Sequence, residues 1–441
     1  MFILLLACEP VKEINVDPVE ATTSTPTLED SPPVHVDSGW TRTEPVDTAL
    51  DSGTGPWVDS GADSGTAPPP DTGTDPGPDP NEPPGAPVIA LSPDPPGAGY
   101  DDVACDVVGA AIDPEGALVT YQVAWELDGD PWGGAVETRA LAGDTIPAAE
   151  TAEGQVWTCR VTASDGESDG PPAEADVSVA PTLLLDGVDA TLTEGTWDYA
   201  VVALTGGATL TVQGEVVLTA REVVVDATST IDGDGGGWLG GVEKTDGTGP
   251  APGQGKKDDG GSGAGHGGLG GDGGDTLSFL AGGAEVGALD TLEALAGSGG
   301  GGSGGAYAGE DGLGGAGGAG VWIAAQEITV DGVITVSGLA GETGTDGAGG
   351  GAGGTILLQG DVVEVSGSLV ADGGIGGDGT NTFGYGGGGG AGGRIKVFYD
   401  TSLDVGGAYV STTGGWYGYG WLSFCTSGSP GTYAEVVSPW P

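Results

Sequence analysis

The sequence predicts an all-β protein: an antiparallel β-sandwich followed by a right-handed parallel β-helix (solenoid) with long Gly-rich loops, preceded by a disordered acidic linker. Three observations predict this order. Similar β-rich segments recur between glycine tracts in the second half, period-two apolar runs fill the stretch before it, and a Pro/Asp/Thr/Gly-rich stretch comes first. Glycine accounts for 94 of 441 residues without a strict G-X-Y period, which excludes collagen.

Four segments of the second half share one pattern, and they begin at Val216, Val321, Thr355 and Arg394. Each has a short β-run, a polar kink, a second β-run, a Gly or Asp-Gly, and a third short β-run. A repeat that cannot bury its own apolar face must stack on its neighbours. We therefore predict a solenoid over residues 182–441 with a core that includes Leu210, Val212, Val223, Val225, Ile328, Val330, Val363, Val365 and Ile395.

A glycine-rich insertion interrupts the repeats at about residues 235–320. A loop of this length is usually functional or disordered. Within it, Gly283 to Ala296 is a candidate short helix. The stretch from Gly270 to Ser278 fits the calcium-binding nonapeptide GGxGxDxUx, with Asp272 and Asp275 as candidate ligands. A single copy in a chain this rich in Gly and Asp also matches by chance.

Residues 86–181 contain period-two apolar runs separated by Gly, Pro and Asp, which is typical of half-buried antiparallel strands. Cys105 and Cys159 occupy matching inward positions of two runs, so we predict that they form a disulfide. The order Cys105, Trp125, Cys159 resembles that of immunoglobulin-like domains. The chain departs from the antibody pattern at Trp157, where those domains have a Tyr.

Acidic loops of the same region supply oxygen ligands of the kind that calcium prefers. The candidates are Asp113 and Glu115 in one loop and Asp128 and Asp130 in another. Asp-Gly is also common turn chemistry, and no complete calcium-ligand spacing is present. Calcium is the only cofactor that the sequence indicates.

The N-terminus, MFILLLAC, resembles a bacterial lipobox. In lipoproteins the equivalent of Cys8 is acylated and becomes the mature N-terminus, although the apolar run here is short for an export signal. Residues 9–85 are too poor in apolar side chains to offset the entropy of folding, so we expect a disordered linker. These features predict an exported protein, lipid-anchored to the outer membrane or cell surface of a Gram-negative bacterium.

The net charge is −55, from 65 acidic and 10 basic residues. Such a charge repels phosphate backbones and anionic lipid, so we expect no nucleic-acid partner and no membrane contact beyond the anchor. Solubility and divalent-cation binding are the two interpretations of this excess.

Aromatic residues crowd the C-terminal region at Trp416, Tyr417, Tyr419 and Trp421. They favour a cap over the last coil, and the alternative is stacking on the sugar rings of a carbohydrate. Cys425 is left over once Cys105 and Cys159 are paired and Cys8 is acylated, and we expect it to be a buried thiol.

Catalytic motifs are not evident in the sequence. The two histidines, His35 and His266, follow no triad or metal spacing. Arg394 and Lys396 share one face of a predicted strand and are the best candidates for the base of a polysaccharide lyase.

Residues 182–441 resemble glycine-rich parallel β-helix proteins displayed on bacterial surfaces, often behind a lipobox, an acidic linker and an immunoglobulin-like module. The segments that carry this resemblance are GTWDY at Gly195–Tyr199, GGATLTVQG at Gly206–Gly214 and GGGGGAGGRIKVFY at Gly386–Tyr399. The resemblance implies a structural or adhesive surface lipoprotein that contacts extracellular polysaccharide or a cell-surface partner. The alternative is a polysaccharide-active β-helix enzyme, since pectin-lyase-like enzymes share the general fold.

Overall fold

The computed structural model describes residues 80–257, 259–274, 279–304, 312–380, 382–421 and 424–437. Within these ranges the regular structure is almost entirely β, and the one helical element is a 3-10 turn at Ala148–Glu150. The all-β prediction is therefore confirmed. The predicted anchor Cys8 and linker residues 9–79 lie outside the described residues.

Seven strands form two antiparallel sheets in the N-terminal part. Their bounds are β1 (Val88–Ser92), β2 (Val103–Gly109), β3 (Thr120–Leu127), β4 (Asp130–Trp132), β5 (Thr145–Ile146), β6 (Val156–Ser164) and β7 (Ala173–Ser178). One sheet has the order β1-β2-β5 and the other β4-β3-β6-β7.

The predicted disulfide joins these two sheets, because Cys105 lies on β2 and Cys159 on β6. Both cysteines are buried beside Trp157, which makes edge-on ring contacts with Trp125 and Trp132 at 6.4 and 4.9 Å between ring centroids. The alternating apolar residues of the sequence therefore meet in one core between the sheets.

The second half contains fourteen strands. Their bounds are β8 (Thr182–Asp186), β9 (Ala190–Asp198), β10 (Val201–Thr205), β11 (Thr209–Val225), β12 (Thr230–Asp232), β13 (Lys256–Lys257), β14 (Ser303–Gly304), β15 (Gly320–Val330), β16 (Val333–Thr335), β17 (Thr355–Val365), β18 (Ser368–Val370), β19 (Arg394–Asp404), β20 (Tyr409–Ser411) and β21 (Thr432–Val437). All of them except the short pair β13-β14 belong to one curled sheet of twelve parallel strands, which is compatible with a parallel β-helix.

The repeats stack in the predicted manner. Gly320, Thr355 and Arg394 begin three long strands that lie side by side in parallel register. The three-residue strands β12, β16, β18 and β20 form a second row along the same direction. All nine predicted core residues are buried in a single apolar cluster, so the predicted inward positions are confirmed.

The two sheet systems meet directly at Pro181. The backbone N–H of Ala98 donates to the carbonyl of Ala180, and the hydroxyl of Thr182 donates to the carbonyl of Ala98. Arg221 of β11 forms an ion pair with Asp101 at 2.6 Å. These contacts join the loop between β1 and β2 to Thr182 and Arg221 of the large sheet.

The glycine tracts form ordered structure, which we call the glycine bundle: extended segments within 233–319, 336–354, 371–393 and 412–431. Each of these stretches leaves the sheet after a short strand of the β12-β16-β18-β20 row and returns at the next long strand. The segments lie side by side and are joined by backbone hydrogen bonds. In the sequence these residues are predicted to be loops.

The hydrogen bonds of the bundle repeat every three residues. In segment 346–354, the N–H groups of Gly350 and Gly353 donate to segment 385–393 at 2.9 Å each. The N–H groups of the intervening residues donate to segments 336–344 and 296–304, and carbonyls of 346–354 accept from three further segments. A three-residue repeat without internal hydrogen bonds is that of the polyproline II conformation. The buried N–H groups of residues 347–354 are thereby all satisfied by neighbouring segments.

Two expectations for the insertion at 235–320 are corrected by this arrangement. Its described residues are neither a structureless loop nor helical. Gly283 to Ala296 lacks a helix because Gly283 is hydrogen-bonded within the bundle and the carbonyls of Thr291 and Glu293 accept hydrogen bonds from a lysine side chain.

The close approach of backbones in the bundle predicts a sharp response to alanine. A Cβ at Gly350 would lie 2.0 Å from the carbonyl oxygen of Gly374, whereas a Cβ at Gly407 would meet nothing nearer than 3.8 Å. We expect Gly350→Ala to destabilise the protein by about 3 kcal/mol, as overpacking does. Gly407→Ala is the matched control and should leave the melting temperature within a degree or two or raise it slightly. Equal melting temperatures for the two variants would contradict this packing.

Candidate functional site

The outward face of the long-strand row carries the two cations that the sequence singles out. Ile395 and Val397 point into the apolar core, so Arg394 and Lys396 between them point away from it. Both are nevertheless buried, with 3% and 1% of their surface exposed. Residues 284–296, which we call the strap, account for this burial because they cross the sheet above them.

The two cations bind the strap. The guanidinium of Arg394 donates to the carboxylate of Glu285 at 2.9 Å and to the carbonyls of Val286 and Gly287 at 3.0 Å each. The ammonium of Lys396 donates to two further strap carbonyls at 2.9 Å each. These hydrogen bonds satisfy strap carbonyls that an irregular segment would otherwise leave unpaired.

His266 lies beside this cluster at the base of the glycine bundle. Its Nε2 is 2.9 Å from the hydroxyl of Thr355, and both residues are 1% exposed. Burial, followed by the positive charges of Arg394 and Lys396, lowers the pKa of His266 to about 3. Burial, followed by the charge of Arg394, also lowers the pKa of Lys396.

This geometry is unsuited to a lyase base. A general base must reach the proton of a bound substrate, but Lys396 and Arg394 are covered and are bonded to the strap. The cluster therefore acts as a structural fastening of the strap. The grouping of His266 with Thr355, Arg394 and Lys396 was not predictable from sequence spacing, since the histidine is 89 residues from the threonine.

The acidic calcium candidates of the N-terminal sheets lie in or beside turns or at the start of a strand. Asp113 accepts a hydrogen bond from the backbone N–H of Ala117, and Asp128 accepts one from Val156. Glu115 accepts one from the N–H of Glu82, and Asp130 begins β4.

In the glycine bundle, Asp272 accepts a hydrogen bond from the N–H of Gly282, and Asp275 lies outside the described residues. Among the residues that the structure describes, no group of three or more His, Cys, Asp or Glu side chains is arranged to hold a metal ion. Calcium binding stays a prediction.

The C-terminal aromatic residues do not cover the last coil. Trp416, Tyr419 and Trp421 are exposed by 74%, 73% and 68%, whereas Tyr417 is half-buried against Tyr419. The expectation of an aromatic cap is therefore wrong. The residues follow segment 412–421 along the outside of the glycine bundle, whose packing leaves no room for rings between segments. Sugar stacking stays a prediction. Cys425 is buried, and its thiol donates to the carbonyl of Gly418.

Segment 371–379 places further side chains beside these rings. The N–H of Gly376 donates to the carbonyl of Trp416 and the N–H of Gly379 to that of Tyr419. These bonds place Asp372, Ile375 and Asp378 of segment 371–379 next to Trp416 and Tyr419 of segment 412–421. We call this surface the aromatic face, and its members are Asp372, Ile375, Asp378, Thr413, Trp416 and Tyr419.

A groove of about 440 Å³ opens on the aromatic face. Asp372, Ile375, Thr413 and Trp416 contribute to its walls, together with Ser427 of the following segment. Of these residues the sequence indicates only Trp416, because the positions of Asp372 and Ile375 depend on the register between two glycine segments.

No protein-family model, curated protein or solved structure matches this chain. Within the described residues there is no helix of the length and apolar character needed to span a bilayer.

The buried His266 predicts a pH dependence of stability. The unfolded chain binds a proton at this histidine with a pKa near 6.5, but the folded chain does so only near 3. Its contribution is therefore complete above pH 6.5 and decreases as the pH falls below that value, by up to about 1.4 kcal/mol per pH unit. We expect His266→Gln to flatten the slope of unfolding free energy between about pH 6.5 and 5, where carboxylates titrate little. His35 is present in both the wild-type protein and the His266→Gln variant, so it does not contribute to the difference between them. An equal pH slope of the unfolding free energy in the two proteins would contradict the lowered pKa of His266.

Proposed function

We propose that this protein is a surface-anchored structural or adhesive lipoprotein that presents a β-helix head for contact with extracellular polymers or a cell-surface partner. Cys8 carries the anchor, residues 9–85 form the linker, residues 86–181 an immunoglobulin-like spacer, and residues 182–441 a right-handed parallel β-helix. Its location is the outer membrane or cell surface of a Gram-negative bacterium.

The observation that carries the proposal is the exposure of large rings on a rigid surface. Trp416 and Tyr419 are each about three-quarters exposed, although apolar side chains of this size are usually withdrawn from water. Exposed aromatic residues grouped on one face are typical of recognition sites. The bundle beneath them is fixed by backbone hydrogen bonds, so the backbone positions that carry the rings are set before a partner arrives.

A binding role is favoured over the enzymatic alternative by the position of the cations. Catalysis needs ionisable groups that converge on an accessible pocket. The two basic residues that would serve a lyase, Arg394 and Lys396, are buried under the strap instead. The enzyme hypothesis remains as an outcome of the tests below.

Calcium has a place in this proposal as a bridge. The chain carries an excess of 55 negative charges, which opposes contact with acidic polymers. Divalent cations shared between carboxylates of the protein and of the polymer would remove this repulsion.

Replacing the anchor residue tests the location. Cys8→Ser removes the thiol that acylation needs, so we expect the full-length variant to move from the membrane fraction to the soluble fraction after expression in a Gram-negative host. Cys425→Ser is the control and should stay with the membranes, because that thiol is buried. Unchanged partitioning of the Cys8→Ser variant would refute the anchor.

Retention on immobilised polymers tests the activity. The full-length Cys8→Ser protein should be retained by an acidic polysaccharide more strongly with calcium than with a chelator. The same incubations should release no new reducing ends and no unsaturated uronate. Release of such products would establish a lyase instead. Absence of retention on every acidic, neutral and amine-bearing polymer tested would end the adhesive proposal.

A further inference from the structure

The aromatic face is built as a regular array. In the polyproline II conformation, residues three apart point to the same side and are separated by about 9 Å. Trp416 and Tyr419 stand in this relation on segment 412–421, as do Asp372, Ile375 and Asp378 on segment 371–379. The two segments are held in register by hydrogen bonds of 2.8 and 2.7 Å to the carbonyls of Trp416 and Tyr419.

Carboxylates flank the aromatic residues in this array. Asp372 accepts a hydrogen bond of 2.6 Å from the N–H of Thr413, and Asp378 accepts one of 2.7 Å from the N–H of Tyr419. Each bond engages the Oδ1 atom and fixes the carboxylate at the edge of the neighbouring segment. The residues that line the groove include no Lys or Arg. A ligand on this face therefore meets an indole face between two negative charges.

We propose that the aromatic face binds a glycan whose sugars carry protonated amines, with a sugar ring on the indole of Trp416 and ammonium groups on Asp372 and Asp378. The inference rests on the proposed adhesive function and names the chemistry of its partner. The exposed indole accepts the apolar face of a sugar ring, and its π-system also attracts a cation. The spacing of about 9 Å to Tyr419 suits an extended chain with a second sugar on the phenol ring.

Charge complementarity decides between the classes of glycan. An acidic glycan would place its carboxylates against Asp372 and Asp378 in a chain of net charge −55. A neutral glycan would leave those two aspartates without a charged partner at the contact. An amine-bearing glycan needs no bridging calcium at this face, because its own cations neutralise the carboxylates.

The test compares two probes of equal length with the full-length Cys8→Ser protein. One is a fully deacetylated glucosamine oligomer, and the other is its N-acetylated counterpart, which has the same rings without the charge. We expect at least tenfold tighter binding of the amine form by calorimetry at pH 6, weakening as salt is raised. Trp416→Ala should lower that affinity at least tenfold.

Two further variants separate the contribution of ring stacking from that of charge, the first as a control. Phe383→Ala removes a side chain that is 70% exposed and lies outside the aromatic face, so the affinity should not change. Replacing Asp372 and Asp378 together by Asn keeps an oxygen for each backbone N–H, and the preference for the amine form should shrink at least fivefold.

Equal affinity for the two oligomers, or binding that Trp416→Ala leaves intact, would overturn the inference. Binding of neither oligomer would also overturn it. If the protein then still adheres to immobilised extracellular polymers, the proposed function stands and only its chemistry at the aromatic face is wrong. If adhesion is absent as well, the proposed function fails with it.

Discussion

The structure depends on direct contact between glycine backbones. At Gly390, as at Gly350, the space that a side chain would need is already occupied by a carbonyl oxygen, here 1.9 Å from the Cβ position. The peptide groups of such segments find hydrogen-bond partners only where several segments lie side by side, because polyproline II chains have no internal hydrogen bonds. The parallel sheet meets this condition, since the glycine tracts of successive coils all begin after the same row of short strands. The coil spacing of the sheet, about 4.8 Å, also suits chains that bond side by side.

Two kinds of stabilisation therefore coexist in one chain. The sheet encloses an apolar core that contains Leu210, Ile328 and Ile395, and its stability comes from burial of side chains. The glycine bundle has almost no side chains to bury, and its only apolar cluster among the described residues consists of Ala264, Ala352 and Ala391. Its order depends on satisfied peptide groups and on anchorage of each segment to the sheet, which limits the entropy that glycine loses on folding.

The division of the chain into an apolar sheet core and a glycine bundle has consequences for function. Bulky side chains are excluded between the segments of the bundle, so Trp416 and Ile375 are displayed on its outside. Arg394 and Lys396, the two cations considered as lyase bases, serve instead to fasten the strap. Arg394 alone bonds Glu285, Val286 and Gly287. The result is an acidic surface with exposed rings, and the proposed contact with a polymer depends on this combination.

The sequence by itself determined the β-architecture. Alternation of apolar residues located the buried positions of Val225 and Val363 and the pairing of Cys105 with Cys159. It could do so because side chains two residues apart in a strand point to the same face of the sheet. Only the tertiary structure decided the glycine bundle, the burial of Lys396 and the composition of the aromatic face. Glycine carries no side chain in which such a pattern could appear, and the partners of Gly350 lie in segments far along the chain. Burial of Lys396 depends on a strap more than a hundred residues away, which no local pattern in the sequence encodes.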